Sequence, residues 1–125
     1  MAELITAPTR IPVPGGKVID EYVGRVNTDT SAVSVAHMVA PPGWSEPVQA
    51  PSFDEITVVL RGTVRLEVHG PGGEPETIEV RPGQAVITKA GERIRYGTDS
   101  EETEYIAVCM PAFSPDTVNR DEAGA

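Results

Sequence analysis

Glycine and proline interrupt this chain so often that it has little room for helices. The 125 residues include 12 of each, and only 25–40 and 98–110 run for more than ten residues without one. The first of these segments opens on the turn-forming run Asn27–Ser31, and the second opens on the polar run Asp99–Glu104. Apolar residues do not recur at helical spacing over several turns in either segment. The frequent glycines and prolines therefore predict short strands joined by turns.

Segments rich in β-branched residues lie between these glycines and prolines. The clearest is Thr63–His69, where apolar and polar side chains alternate. Seven segments of this kind, spaced as in small antiparallel barrels, predict an all-β barrel or sandwich. They are Ala32–Ala40, Glu55–Leu60, Thr63–His69, Thr77–Val80, Ala85–Thr88, Arg93–Gly97 and Glu104–Met110. We expect a barrel over 17–112, with a proline-rich N-terminal arm over 1–16 and a polar C-terminal tail over 113–125.

Charge and cysteine content exclude several classes of protein at this stage. The chain has 10 basic and 19 acidic residues, a formal net charge of -9. A surface this acidic repels nucleic-acid phosphates and anionic membranes, so we expect neither as a partner. The single cysteine, Cys109, cannot form an intrachain disulfide, and the first residues show no apolar leader. The sequence predicts a cytoplasmic protein.

Two segments resemble the paired motifs of the cupin superfamily. In Ala40–Gly62, the spacing of Gly43, Glu55 and Gly62 fits the first motif. In Arg81–Thr98, the two glycines at 83 and 91 fit the second. This resemblance implies a cupin fold, which is a double-stranded β-helix or jelly-roll barrel.

The same alignment predicts that the usual cupin metal site is missing. Cupins commonly bind a divalent metal through three histidines and one glutamate. At those positions this chain has Gln49, Pro51, Glu55 and Ile94. Proline and isoleucine offer no side-chain donor to a metal, so we expect neither a tightly bound metal nor another cofactor. One alternative remains open, an unusual metal set of Glu55, Gln49 and His37.

The amino-acid sequence in and around the motifs also resembles one metal-poor branch of the superfamily. The segments FDEITVVLRG, KAGERIRYGT and EYIAVCMPAFSP are similar to the cupin protein of bacterial ethanolamine-utilisation operons. The resemblance implies a bacterial protein in which the barrel has an accessory or ligand-binding role.

Strand alternation predicts which side chains face the barrel interior. If Glu55 points inward, as the resemblance implies, then Thr57 and Val59 do too. A carboxyl inside an apolar barrel has a raised pKa, so Glu55 is a candidate general acid or base. Gln49 is a candidate for orienting a substrate, and Glu46 for a second carboxyl at the cavity mouth. A structural glutamate, a loop glutamine and a surface glutamate are the respective alternatives.

The candidate ligand-binding residues are Trp44, Thr57, Tyr96, His37 and Tyr105. Trp44 lies in a Pro-Gly-Trp loop, where it can stack on a planar ligand or anchor an interface. Tyr96 can donate a hydrogen bond into the cavity or sit in the core. For the last strand, alternation leaves open which face is inner, the one with Tyr105 or the one with Ile106.

Two functions follow from these expectations. The first is a metal-independent isomerase, lyase or cyclase that acts on a small organic metabolite through Glu55. The second is a non-catalytic small-molecule-binding or accessory cupin. In either case we expect a homodimer that pairs through its sheets, with the N-terminal arm adding an edge strand to the partner.

Overall fold

Two antiparallel sheets face each other around one apolar core. The computed structural model describes residues 1–120, and within them the chain forms nine strands and one short 3-10 helix. The strands are β1 (Thr9–Ile11), β2 (Val18–Val23), β3 (Ser34–Ala40), β4 (Asp54–Arg61), β5 (Val64–Val68), β6 (Glu76–Val80), β7 (Ala85–Thr88), β8 (Ile94–Thr98) and β9 (Thr103–Met110). The 3-10 helix, η1, is Pro115–Thr117. The all-β prediction is confirmed.

The strands are divided unequally between the two sheets. The larger sheet has the order β1-β2-β3-β9-β4-β7, and the smaller has β6-β5-β8. Side chains that point between the sheets form the main core, built from Val59, Leu66, Ile94 and their neighbours. Leu66 is fully buried at its centre. The predicted strand positions agree with the observed ones to within two residues.

The N-terminal arm is not a free extension. Residues 9–11 pair with β2 of the same chain, in the register Thr9↔Glu21 to Ile11↔Ile19. β1 is the edge strand of the larger sheet, so its outer edge is unpaired within residues 1–120, and the expectation that the arm adds a strand to a partner stays a prediction. Sequence analysis also missed β2, because its run VIDEYV has charged residues on both faces.

The C-terminal segment packs on the barrel as far as it is described. Val118 is buried, and Phe113 stacks on Phe53 with ring centroids 6.2 Å apart. The Ser52 amide donates to the Thr117 carbonyl at 2.8 Å. These contacts bring residue 120 to the barrel mouth. The rest of the predicted tail, 121–125, lies outside the described residues.

Among the described residues, no helix is long and apolar enough to cross a bilayer.

Candidate functional site

A cavity of about 140 Å³ opens between the sheets at the end where the N-terminal and C-terminal segments meet. A cavity of this size holds a single ring such as benzene. Most of the exposed wall is apolar, but ten of the twenty lining residues have an ionisable or polar group. Those groups are Lys17, Glu21, Ser34, Glu46, Gln49, Glu55, Tyr96, Tyr105, Cys109 and Arg120.

Strand alternation places Glu55 in this cavity. In β4, every second residue from Glu55 to Val59 is buried, and the residues between are half-buried. Burial raises the pKa of Glu55 to about 7, the nearby Glu46 carboxyl adds to the rise, and the Lys17 ammonium and Tyr96 hydroxyl oppose it. A carboxyl with this pKa exchanges its proton readily at neutral pH.

Glu46 is a buried carboxyl rather than a surface one. The residue is only 8% exposed, and its Oε2 has no hydrogen-bond partner within residues 1–120. Burial raises the pKa of Glu46, while Lys17 and Arg120 lower it. Two carboxyls with raised pKa values thus face one small cavity, an arrangement that separates an acid from a base.

Gln49 and Tyr96 also line the cavity. The Arg120 Nε donates to the Gln49 Oε1 at 3.3 Å, so this amide is tied to the C-terminal segment. The Gln49 backbone pairs with Ile94 in both directions, at 2.9 and 2.8 Å, which holds the 49 loop against β8. The Tyr96 hydroxyl lies 3.3 Å from the Thr88 Oγ1 and against Glu55.

The last strand presents Tyr105, Ala107 and Cys109 to the interior. Sequence alone did not show which face of β9 is the inner one. The register of β9 with β3 and β4 turns the face with Tyr105 inward. Burial raises the pKa of the Cys109 thiol, so the thiol stays protonated. It behaves as part of the wall.

Three of the expected ligand-binding residues lie outside this cavity wall. His37 points away from the interior, and its Nε2 is 2.6 Å from the Glu104 Oε2 on the outer face. Thr57 is fully buried in the sheet packing below the cavity. Trp44 packs against the core and lines an adjoining hollow that shares Lys17, Ile19, Glu46 and Arg120 with the cavity. The expected role of His37 inside the barrel is wrong, because β3 turns its alternate residues inward.

Sequence analysis missed the two cations of the site, Lys17 and Arg120. Lys17 immediately precedes β2, and it lines the cavity together with Ile19 and Glu21, the inward residues of that strand. Their spacing of two was a usable signal once 18–23 had been recognised as a strand. Arg120 carried no such signal, since only the packing of the C-terminal segment brings it to the mouth.

These residues do not fit the metal that the superfamily implies. Pro51 has no donor, Ile94 is a core residue that is 1% exposed, and the Gln49 oxygen already accepts from Arg120. The unusual set with His37 does not assemble, since His37 is on the outer face. Within residues 1–120, no group of three or more His, Cys, Asp or Glu side chains is placed to hold a metal ion.

Comparison with solved structures identifies the architecture. A variant of oxalate decarboxylase from Bacillus subtilis matches with a TM-score of 0.78 and 16% identity, over 93% of this chain and 31% of that one. A putative ethanolamine utilization protein Q from Salmonella typhimurium matches with a TM-score of 0.63 and 23% identity, over 78% of this chain and 71% of that one. This chain has the cupin fold. The cupin prediction and the resemblance to the ethanolamine-utilisation branch are confirmed at the level of fold.

Sequence comparison points in another direction. No family model matches the chain. A protein of Myxococcus xanthus named endoribonuclease YbeY is 39% identical over 112 residues, which are 89% of this cupin and 36% of that protein. The cupin thus spans about a third of the length of this relative.

This relative overturns two expectations. By its name it cleaves RNA, so the assignment of this cupin to small-metabolite chemistry or to an ethanolamine-utilisation accessory role is wrong, as is the exclusion of nucleic acid. The exclusion failed because net charge describes the whole surface. It does not describe the cavity, where Lys17 and Arg120 lie beside the carboxyls of Glu46 and Glu55.

Proposed function

We propose that this cupin acts on RNA and that its cavity holds one ribose unit next to the bond to be cleaved. The observation that carries the proposal is the buried Glu55 carboxyl, whose pKa of about 7 suits proton transfer. Similarity to the endoribonuclease of Myxococcus xanthus supports RNA as the substrate. The size of the cavity supports a single sugar ring inside, with the base and the neighbouring phosphates outside.

RNA carries its own nucleophile, the 2′-hydroxyl, so its cleavage needs proton transfer and charge stabilisation. In the proposed reaction Glu55 takes the 2′-hydroxyl proton, the 2′-oxygen attacks phosphorus, and the bond from phosphorus to the 5′-oxygen breaks. Glu46, whose pKa burial raises, gives a proton to that leaving oxygen. Arg120 at the mouth offsets the charge on the phosphate. The products are a 2′,3′-cyclic phosphate and a 5′-hydroxyl.

The acidic surface limits the form of RNA that this site accepts. Few phosphates can be contacted favourably by a chain with a net charge of -9, so we expect a short single-stranded segment. Binding that neutralises few phosphates depends weakly on salt. The hollow beside the cavity, lined by Trp44 and Lys17, supports stacking of one base at the mouth.

A labelled single-stranded oligoribonucleotide tests the proposal. We expect the chain to cut it in the presence of a chelator, and to leave a 2′-deoxy oligonucleotide of the same sequence intact because that strand lacks the nucleophile. Glu55→Gln should lower the rate by about a hundredfold or more, since it removes the proton acceptor. The exposed Glu76→Gln is the matched control. A Glu55→Gln protein that cuts as fast as the control would refute the role of Glu55.

A second function is supported by the share of the relative that aligns. Since this cupin matches only 36% of the Myxococcus protein, the remaining length can contain another domain. On this alternative the cupin binds RNA for a separate cleaving domain. Binding of the oligoribonucleotide without any cleavage would favour it over the first function.

We also propose a cytoplasmic homodimer. The outer face of β4, β7 and β9 is apolar and includes Ile87, which is 60% exposed, and Leu60, which is 49% exposed. Such a face is typical of a surface that is covered in an oligomer. The single cysteine, with its thiol buried and free, is compatible with a reducing compartment.

Light scattering tests the dimer. We expect a mass about twice the 13.3 kDa of one chain. Ile87→Lys places a charge in the apolar face and should give the mass of a single chain. Lys89→Ala, on an exposed residue of the loop that follows β7, should leave the dimer intact. A monomeric wild-type chain would contradict the proposal.

A further inference from the structure

The side-chain nitrogen of Lys17 is held by aromatic rings. Its Nζ lies 4.2 Å from the centre of the Trp44 ring and 5.4 Å from that of the Tyr105 ring. Aromatic faces attract a cation, so this is the geometry of an ammonium. Within residues 1–120, the nitrogen takes part in no hydrogen bond and no ion pair. The two rings therefore fix a positive charge in the cavity wall without pairing it to one carboxylate.

Two carboxyls share the small cavity with this charge. Glu46 and Glu55 both line it together with Lys17. Burial raises the pKa of each carboxyl, and among the charged neighbours Lys17 does most to lower it. Burial lowers the pKa of Lys17 in turn, and the two carboxyls raise it. The ammonium and the carboxyls thus favour each other's charged forms.

The other titratable side chains around Glu55 are engaged by hydrogen bonds or carry no charge. The Glu21 Oε2 accepts two backbone amides of the loop that follows β2, at 3.0 and 2.9 Å. The Arg120 Nε donates to the Gln49 Oε1 at 3.3 Å. Burial raises the pKa values of the hydroxyls and the thiol of the wall, which are neutral at neutral pH and belong to Tyr96, Tyr105 and Cys109. Within residues 1–120, Lys17 is therefore the basic group of this wall that no hydrogen bond engages.

We propose that Lys17 is a positioning residue whose ammonium, held by the Trp44 and Tyr105 rings, allows Glu55 to ionise inside the barrel and act as a base. The use of that base rests on the proposed function, whereas the place of the ammonium rests on the two ring contacts. Removed from water and without a nearby cation, two carboxyls hold their protons more strongly. A direct ion pair would occupy an oxygen that has to accept the substrate proton. A cation held by the rings supplies the charge and leaves that oxygen free.

The pH profile of RNA cleavage tests this role. Lys17→Met removes the charge from a side chain of similar length. Because Glu55 must be ionised to act, we expect the acidic limb of the kcat profile to move upward by about one pH unit or more, which is about a tenfold lower rate on that limb. At high pH the rates should converge. Lys17→Arg keeps a cation on the rings and should restore the wild-type limb, and the exposed Lys89→Met is the matched control.

Unfolding at a series of pH values tests the same role without RNA. In the wild type, the free energy of unfolding falls as the pH rises from about 4.5 to about 7, because the unfolded chain releases the Glu55 proton first. In Lys17→Met the fall should continue to a pH about one unit higher. Addition of Glu55→Gln to Lys17→Met should abolish that extension. Trp44 is the only tryptophan of the chain, and its fluorescence follows the transition.

Three results would overturn the proposal. One is a folded Lys17→Met protein with the wild-type limb and the wild-type unfolding profile, and another is a rate that falls by the same factor at every pH. The third needs no variant: nitrogen NMR of the lysine side chains that shows a neutral Lys17 amine at neutral pH. If the wild type cuts no RNA, the cleavage function fails, and the unfolding profile and NMR decide the role of Lys17. If RNA is cut and Lys17→Met is unaffected, only the present inference fails.

Discussion

Glu55→Gln should remove a loss of stability that the wild-type chain suffers as the pH rises toward neutrality. In the folded protein the pKa of Glu55 is about 7, against an ordinary value of 4.5. Below the lower value both states hold the proton, so the group contributes nothing. Between the two values the unfolded chain releases its proton and the folded chain keeps it. The free energy of unfolding therefore falls as pH rises through this interval.

The size of this effect follows from the pKa difference. For a single group, the free energy of unfolding falls by about 1.4 kcal/mol per pH unit within this interval. Over the whole interval it falls by roughly 3 kcal/mol. Glutamine has the same shape without an ionisable proton, and its contribution does not change with pH. Denaturant unfolding on either side of the interval measures the difference. Glu76→Gln, on the exposed strand β6, should keep the wild-type dependence. An identical pH dependence in Glu55→Gln and wild type would show that the carboxyl is not perturbed by burial.

Gly62→Ala should destabilise the fold by roughly 2–5 kcal/mol, from two additive causes. Gly62 has a φ of +76°, a backbone conformation that costs conformational free energy for residues with a Cβ. A Cβ at this position would also meet the Thr103 Oγ1 and lie 2.6 Å from the Glu102 carbonyl oxygen. Thr103 is fully buried, and its Oγ1 accepts a hydrogen bond from the Thr63 backbone amide at 3.2 Å. Its side chain therefore cannot move away freely.

Gly43→Ala separates the two causes. Gly43 has a similar φ of +68°, but a Cβ there would have no neighbour within 4 Å among the described residues. We expect only the backbone cost, about 1–2 kcal/mol, in the same denaturation experiment. Equal losses in the two variants would show that the contact with Thr103 is unimportant.

Strand alternation in the sequence predicted the inner side chains of some strands but not of others. Alternation in β4 correctly placed Glu55 inside and Asp54 outside, because the period of a strand is two and one known position fixes the rest. The same rule placed Tyr96 inside and Arg95 outside on β8. It could not assign Tyr105, since β9 offered no fixed position from which to count.

Other parts of the site depend on contacts between distant residues. His37 was a candidate ligand-binding residue of the barrel interior, but the pairing of β3 with β2 and β9 turns it toward Glu104, 67 positions away. Lys17 and Arg120 come from opposite ends of the chain, and they meet the carboxyls only when β2 and the C-terminal segment close one end of the barrel. Sequence spacing holds no information about such a meeting.

By itself, the sequence determined β3 to β9 and the turns between them, because glycine, proline and alternating apolar residues act over a few neighbouring positions. The cupin fold followed from the resemblance of two motifs to that superfamily. It also determined that the usual metal-binding side chains are absent from the motif positions. Only the tertiary structure decided that two basic residues and three carboxyl residues share one small cavity. The raised pKa values follow from that burial, and desolvation depends on everything that surrounds a group, whatever its distance along the chain.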